Sequence, residues 1–169
     1  MSSESAQRVD PPRWIPDERS RQLLRSGVSV SLAARNSALV PNLSRAIGCR
    51  LDDDGRVSVV LTGGDSVDLI SDLAVNGAVA AVFSQPSTHL TLQLKANRVV
   101  IEPASETDVV AALGTRTGML ADLVRMGYPA EFSEAFMRVD VDDLVVVRFY
   151  PERAFDQTPG PQAGNPIGE

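Results

Sequence analysis

The tightest constraint on the fold lies in LDDDGR, residues 51–56. It joins two strand-like runs, LSRAIGCRL (43–51) and RVSVVLT (56–62), and its turn ends in Asp-Gly. Glycine accepts a positive φ at no steric cost, so the two runs fold back on each other as an antiparallel hairpin.

Four more runs read as strands: VSVSLAAR (28–35), AVAAVFS (78–84), residues 89–102 and DLVVVRFY (143–150). The 78–84 run is continuous and apolar, which predicts burial on both sides. In 89–102 the alternation is clean at first. Leu90, Leu92 and Leu94 share one face, and Thr91, Gln93 and Lys95 share the other. After Asn97 the pattern changes to VVI, which suggests a bend or a change of surroundings.

Helices fill the gaps. Asp17 opens one that stops at Gly27. Asp65 or Ser66 caps a second that closes at Gly77. Ser105 and Asp108 form a capping-box pattern for a third, ending at Gly127, with Gly114 and Gly118 weakening its middle enough to suggest two shorter helices. AEFSEAFMR (130–138) is a fourth. These elements predict a mainly β (α+β) fold, a six-stranded antiparallel split β-barrel with peripheral helices. A flexible arm is expected over 1–15, the barrel domain over 16–155 and a Pro/Gly-rich tail over 156–169.

Several functions are excluded or disfavoured by inventory. A net charge of −6 argues against a nonspecific nucleic-acid or anionic-membrane surface. A single cysteine forms no intrachain disulfide, and one His beside it builds no His/Cys zinc cluster. No apolar run is long enough to span a bilayer and no secretory leader is evident, so the cytoplasm is expected. GTRTG at 114–118 lacks the lysine of a phosphate loop. Cys49 reads as a small buried hydrophobe rather than a nucleophile.

Arg45 and Arg50 bracket one predicted strand. Their separation of five places them on opposite faces unless a bulge or strand end intervenes. Both suit a phosphate, but from spacing alone solvent or pairing with the nearby Asp residues is the simpler reading. His89 stands at a strand entrance, where a structural role is the simpler reading. Trp14 and Phe155 either lie over a ligand ring or anchor the termini.

Taken together, PNLSRAIGCRLDDDGRVSVVLT and DSVDLISDLAVNGAVAAVFSQPSTHLTLQLKANRVVIE resemble the pyridoxamine 5′-phosphate oxidase-like, FMN-binding split-barrel family. The resemblance covers residues 28–102 and, more weakly, 140–155. It implies a homodimer with one FMN in each of two clefts between subunits. It also implies that Arg45 and Arg50 meet the phosphate or ring edge, that Val59 and Val60 offer backbone contacts, and that Ser66 lies near the phosphate. Thr91, Gln93 and Lys95 would line the cleft beside the ring. Val67 and Asp68 stand where the family often has a basic pair, and an aspartate repels phosphate. No His follows His89, so oxidation of pyridoxamine phosphate itself is not expected. The resemblance points to an FMN-dependent oxidoreductase of unknown small-molecule substrate. The alternative is a non-catalytic dimeric binding protein for flavin, haem (with His89 as the axial ligand) or another planar ligand. A deazaflavin-dependent reductase is a third reading, by fold analogy alone.

Overall fold

The computed structural model describes residues 13–136, 139 and 141–168. In chain order these form α1 (Glu18–Arg25), β1 (Ser29–Arg35), β2 (Pro41–Ala46), β3 (Gly48–Leu51), β4 (Val57–Thr62), a 3-10 turn (Gly64–Ser66) and α2 (Val67–Asn76). There follow β5 (Val79–Ser84), β6 (Thr91–Ala96), β7 (Val100–Pro103), α3 (Glu106–Arg125), α4 (Ala130–Phe136), β8 (Leu144–Phe149) and β9 (Arg153–Asp156). Residues 1–12 of the expected arm and 137–138 of the expected fourth helix lie outside the described residues.

The strands make two antiparallel sheets. Sheet A has the order β2-β1-β5-β6-β9 and sheet B the order β3-β4-β8-β7. The fold is α+β, and the two sheets do not join into a closed barrel. The 52–55 hairpin forms as expected: Gly55 sits at φ +86° and its N–H donates to the Asp52 carbonyl at 3.0 Å.

Nine strands stand among the described residues where the sequence suggests six. Two expected strands change sheets midway. The 43–51 run breaks at Ile47, sending β2 to sheet A and β3 to sheet B. The 89–102 run breaks at Asn97–Val99 in the same manner, so β6 and β7 also part. The ninth strand, β9, lies at the end of the expected barrel domain and reaches the first residue of the expected tail. Beyond it the chain doubles back: Asp156 N–H donates to the Asn165 carbonyl and Ile167 N–H to the Ala154 carbonyl, each at 2.9 Å.

The core lies between the sheets. Leu32, Phe83 and Leu94 of sheet A meet Val59, Leu61 and Val147 of sheet B, all fully buried. Leu24 of α1 and Leu69 and Leu73 of α2 join the same cluster. Burial of β5 alternates rather than being two-sided. Val79, Ala81 and Phe83 point into the core, and Ala80, Val82 and Ser84 are half-buried on the other face. The continuous apolar run arises because these outer residues are small, not because that face is covered.

Sheet B has part of its second face covered by α3, whose Ala112 packs with Val60 and Val146. The capping box at Ser105 and Asp108 is formed. The helix runs unbroken through Gly114 and Gly118. Gly118 is explained by proximity, because a Cβ there would lie 2.7 Å from Gly27 Cα. Two backbones meet at that point and leave no space for a side chain.

Candidate functional site

Strand alternation and register together define the outer face of sheet A. Arg45, Ser31, Val82, Gln93 and Phe155 are successive cross-strand partners in one row. The adjacent row runs Leu43, Ala33, Ala80, Lys95 and Arg153. Its middle is a platform of four small, half-buried side chains, Ser31, Ala33, Ala80 and Val82. Arg45 and an exposed Leu43 bound it on one side, with Gln93 and Lys95 on the other. Neighbouring strands lie about 4.8 Å apart, so roughly 14 Å separates the Arg45 and Gln93 backbones. This is a flat surface with a cation at one end and an amide and an ammonium at the other.

The polar side chains at the far end are positioned by neighbours. Thr91 donates to the His89 carbonyl at 3.0 Å and shares a 2.8 Å hydrogen bond with Ser84. Gln157 Nε2 donates to Gln93 Oε1 at 3.4 Å. Lys95 Nζ stands 4.8 Å from the centre of the Phe155 ring, within cation–π range. Arg45, Thr91, Gln93 and Lys95 therefore share one sheet face, as the alternation suggests.

Arg50 goes elsewhere. The chain changes sheets at Ile47, and Arg50 lies on sheet B under the start of α3. There it pairs with Asp52 at 3.2 Å and with Asp108 at 3.3 Å. Asp108, fully buried, also accepts from Arg148 Nη1 at 2.9 Å and Nη2 at 2.6 Å. Ser105 N–H and Oγ donate at 2.9 and 2.6 Å to its Oδ2, the oxygen that also accepts from Arg148 Nη2. Burial alone would raise the pKa of Asp108. The bonds from Arg148 and Ser105 outweigh burial and hold it well below the usual carboxylate range. The cluster is a structural clamp for α3. The capping-box pattern signals Asp108 in the sequence, but nothing local signals Arg148 as its partner.

Val59 and Val60 are buried in β4, the inner strand beside β3 and β8, and both of its edges are paired. Their backbones are thus committed to the sheet. Ser66 takes the N-cap position of α2 but makes no capping bond, and its Oγ is buried without a hydrogen-bond partner. Just upstream, the Asp143 carboxylate accepts from Gly64 N–H at 2.6 Å, and the Asp143 carbonyl accepts from Gly63 N–H at 2.8 Å. A Cβ at Gly63 would lie 2.6 Å from that carboxylate, so the glycines admit it. Sequence reasoning missed Asp143 altogether, because it lies more than seventy residues from the glycines it meets.

His89 is exposed, at φ +58° in the turn before β6. Cys49 is buried, which pushes its thiol up to about 12, and it therefore presents no thiolate at neutral pH. Trp14 is an anchor: its backbone N–H donates to the Pro151 carbonyl at 2.8 Å, and Gly168 lies so near its indole that a Cβ there would stand 3.1 Å from Nε1. Phe155 ends the Arg45 row on the outer face of sheet A.

No protein-family model matches the chain, and no curated protein matches it in sequence. Solved structures match in fold. HupZ of Group A Streptococcus aligns with a TM-score of 0.54 at 15% identity, covering 89% of this chain and 100% of that one. A structure named F420 reductase gives 0.54 at 16% identity, covering 83% and 98%. A Lactobacillus delbrueckii protein provisionally assigned as a pyridoxamine 5′-phosphate oxidase gives 0.52 at 11% identity, covering 83% and 93%. The chain has the pyridoxamine 5′-phosphate oxidase-like fold.

Proposed function

We propose that this chain binds a flavin-type ring on the outer face of sheet A and serves in oxidation–reduction of a small molecule. The observation that carries the reading is the platform. Four small side chains leave room for a planar ring to lie flat, and Arg45, Gln93 and Lys95 stand at its ends. Their donors favour negative charge, which suits the polar edge of a flavin. A bound flavin would supply hydride or electron transfer; the residues of the chain hold and orient it. The fold, shared with a structure named F420 reductase, supports the same class.

FMN fits at its ring and does not fit at the start of α2. Ser66 Oγ offers an orphaned hydroxyl there, but Asp143 already takes the Gly64 N–H, and Asp65 and Asp68 add negative charge. Arg50, the second expected phosphate ligand, is held by Asp52 and Asp108. No catalytic step is assigned to FMN for that reason. These carboxylates favour the second reading, a binding protein for a planar ligand without turnover.

A homodimer is part of the proposal. Leu39, Val40 and Leu43 are exposed at the β1–β2 end of sheet A, and a second copy would cover them and turn the open platform into a cleft. Titration with riboflavin and with FMN, read by the flavin absorption spectrum, tests the site. Arg45→Ala and Gln93→Ala are each expected to weaken flavin binding about tenfold, and His89→Ala to leave it unchanged. If neither flavin is retained, the flavin reading fails. Loss of binding in His89→Ala, with haem retained by the parent chain, would move the assignment to haem.

A further inference from the structure

We infer a second ligand site, on sheet B, that takes a small planar aromatic anion. Beyond the start of α3 the outer face of β7 and β8 is left open, and a half-enclosed cavity of about 330 Å³ lies there. That volume is in the range of small-molecule sites. Its apolar surface comes from Val100, 54% exposed on a strand at the edge of the sheet, together with Val99 and the ring of Tyr150.

Four guanidinium groups line the cavity: Arg13, Arg56, Arg98 and Arg148. Asp52 and Asp108 pair with Arg56 and Arg148 from behind, and two carboxylates, Glu102 and Glu152, line the cavity itself. Both carboxylates are engaged. Glu152 accepts from Asn97 N–H at 3.0 Å and Asn97 Nδ2 at 2.8 Å, one bond on each oxygen. Glu102 accepts from Arg148 Nε at 3.1 Å.

The cations are also positioned. Asp108 and Ser58 fix Arg148, and Asp52 holds Arg56 through Nε at 2.8 Å. The Arg13 guanidinium lies over the Tyr150 ring at 3.8 Å, while the Tyr150 hydroxyl donates to Asp54 at 2.6 Å and sets the ring plane. A planar anion fits this arrangement: its ring system meets Val100 beside Tyr150, and its oxyanion takes donors of Arg13 and Arg56, while Arg148 stays with Asp108, Ser58 and Glu102. The site is on the opposite sheet from Arg45 and Gln93, so it stands or falls independently of the flavin reading.

The test is calorimetric titration of the full chain with 2-naphthoate, 2-naphthyl phosphate and the neutral 2-naphthylmethanol. Binding of either anion, with the neutral probe at least about tenfold weaker, is the expected result. The preferred anion separates a carboxylate ligand from a phosphate one. Arg13→Gln and Arg98→Gln, at surface positions, are each expected to weaken the anion about tenfold. Val100→Glu, which puts a like charge on the cavity floor, should abolish anion binding, and circular dichroism checks that each variant is folded. No binding of either anion, equal binding of the neutral probe, or unchanged binding in all three folded variants would overturn the site.

Discussion

Replacing Asp108 by Asn tests whether the buried carboxylate clamps α3 to sheet B. Its Oδ2 accepts three hydrogen bonds, from Arg148 Nη2, Ser105 N–H and Ser105 Oγ, and its Oδ1 faces Arg148 Nη1 and Arg50 Nη2. An asparagine keeps one acceptor, so it can still cap Ser105. Its amide nitrogen then faces guanidinium donors, and two largely buried cations each lose the buried one of their two counter-charges, Arg50 keeping Asp52 and Arg148 keeping Glu102. Breaking a buried pair by removing one partner costs about 3–5 kcal/mol. For a chain of this length that is a fall in Tm of roughly 6–20 °C. Thermal unfolding followed by circular dichroism at pH 7 measures it.

The pH dependence carries a second check. The folded-state pKa of Asp108 is depressed, so its contribution is present above the unfolded value of about 3.9 and is lost as pH falls through the folded value. The gap between the parent and Asp108→Asn should therefore be widest above about pH 5 and narrow below about pH 4. Arg148→Met in the same background removes a stranded charge, so the double variant should be more stable than the sum of the single effects by about 2 kcal/mol. A Tm change under about 2 °C for Asp108→Asn, or strict additivity in the double variant, would refute the clamp.

Three further outcomes follow from the geometry. Asp143→Ala frees Gly64 N–H and removes a negative charge at the start of α2, so affinity for FMN relative to riboflavin should rise about tenfold; an unchanged ratio in paired titrations would mean that the carboxylate does not exclude phosphate. Cys49, buried and with its thiol pushed up to about 12, should not react with a thiol reagent at pH 8 until denaturant is added; rapid labelling of the folded chain would contradict that burial. Gly27→Ala would place a Cβ 1.9 Å from the Gly118 carbonyl carbon, and the two backbones would have to separate. A loss of about 3 kcal/mol in urea unfolding is expected, and a neutral result would show that the α3 contact is loose.

What the sequence reveals about the fold depends on whether the signal is local. The 52–55 turn is legible because Gly55 must take a positive φ, and the Ser105–Asp108 box because its two partners are three residues apart. The sheet change at Ile47 is not legible in this way, and at Asn97–Val99 the change of pattern marks a break without showing that the chain leaves its sheet. A strand that leaves one sheet for another remains extended, with the same preferences for branched and apolar side chains, so LSRAIGCRL reads as one strand although it is two. β9 is hidden for a related reason. Only four residues long, it owes its pairing to β6 and to the returning tail, not to any pattern within RAFD.

The candidate site divides along the same line. Alternation alone puts Thr91, Gln93 and Lys95 on one face, and register then brings Arg45 into the Gln93 row. Arg45 and Arg50 look like a pair only while residues 43–51 are one strand. Once the chain turns at Ile47, Arg45 belongs to an open platform and Arg50 to a clamp of buried charge. A guanidinium held by Asp52 and Asp108 can join a ligand's phosphate only by giving up partners already in place. That exchange must overcome ion pairs formed in folding. The kink at one residue thus decides which of two similar arginines joins the outer face of sheet A and which joins the buried clamp. The same reasoning directs mutagenesis: on the proposed reading Arg45→Ala should weaken flavin binding, and Arg50→Ala should lower Tm first.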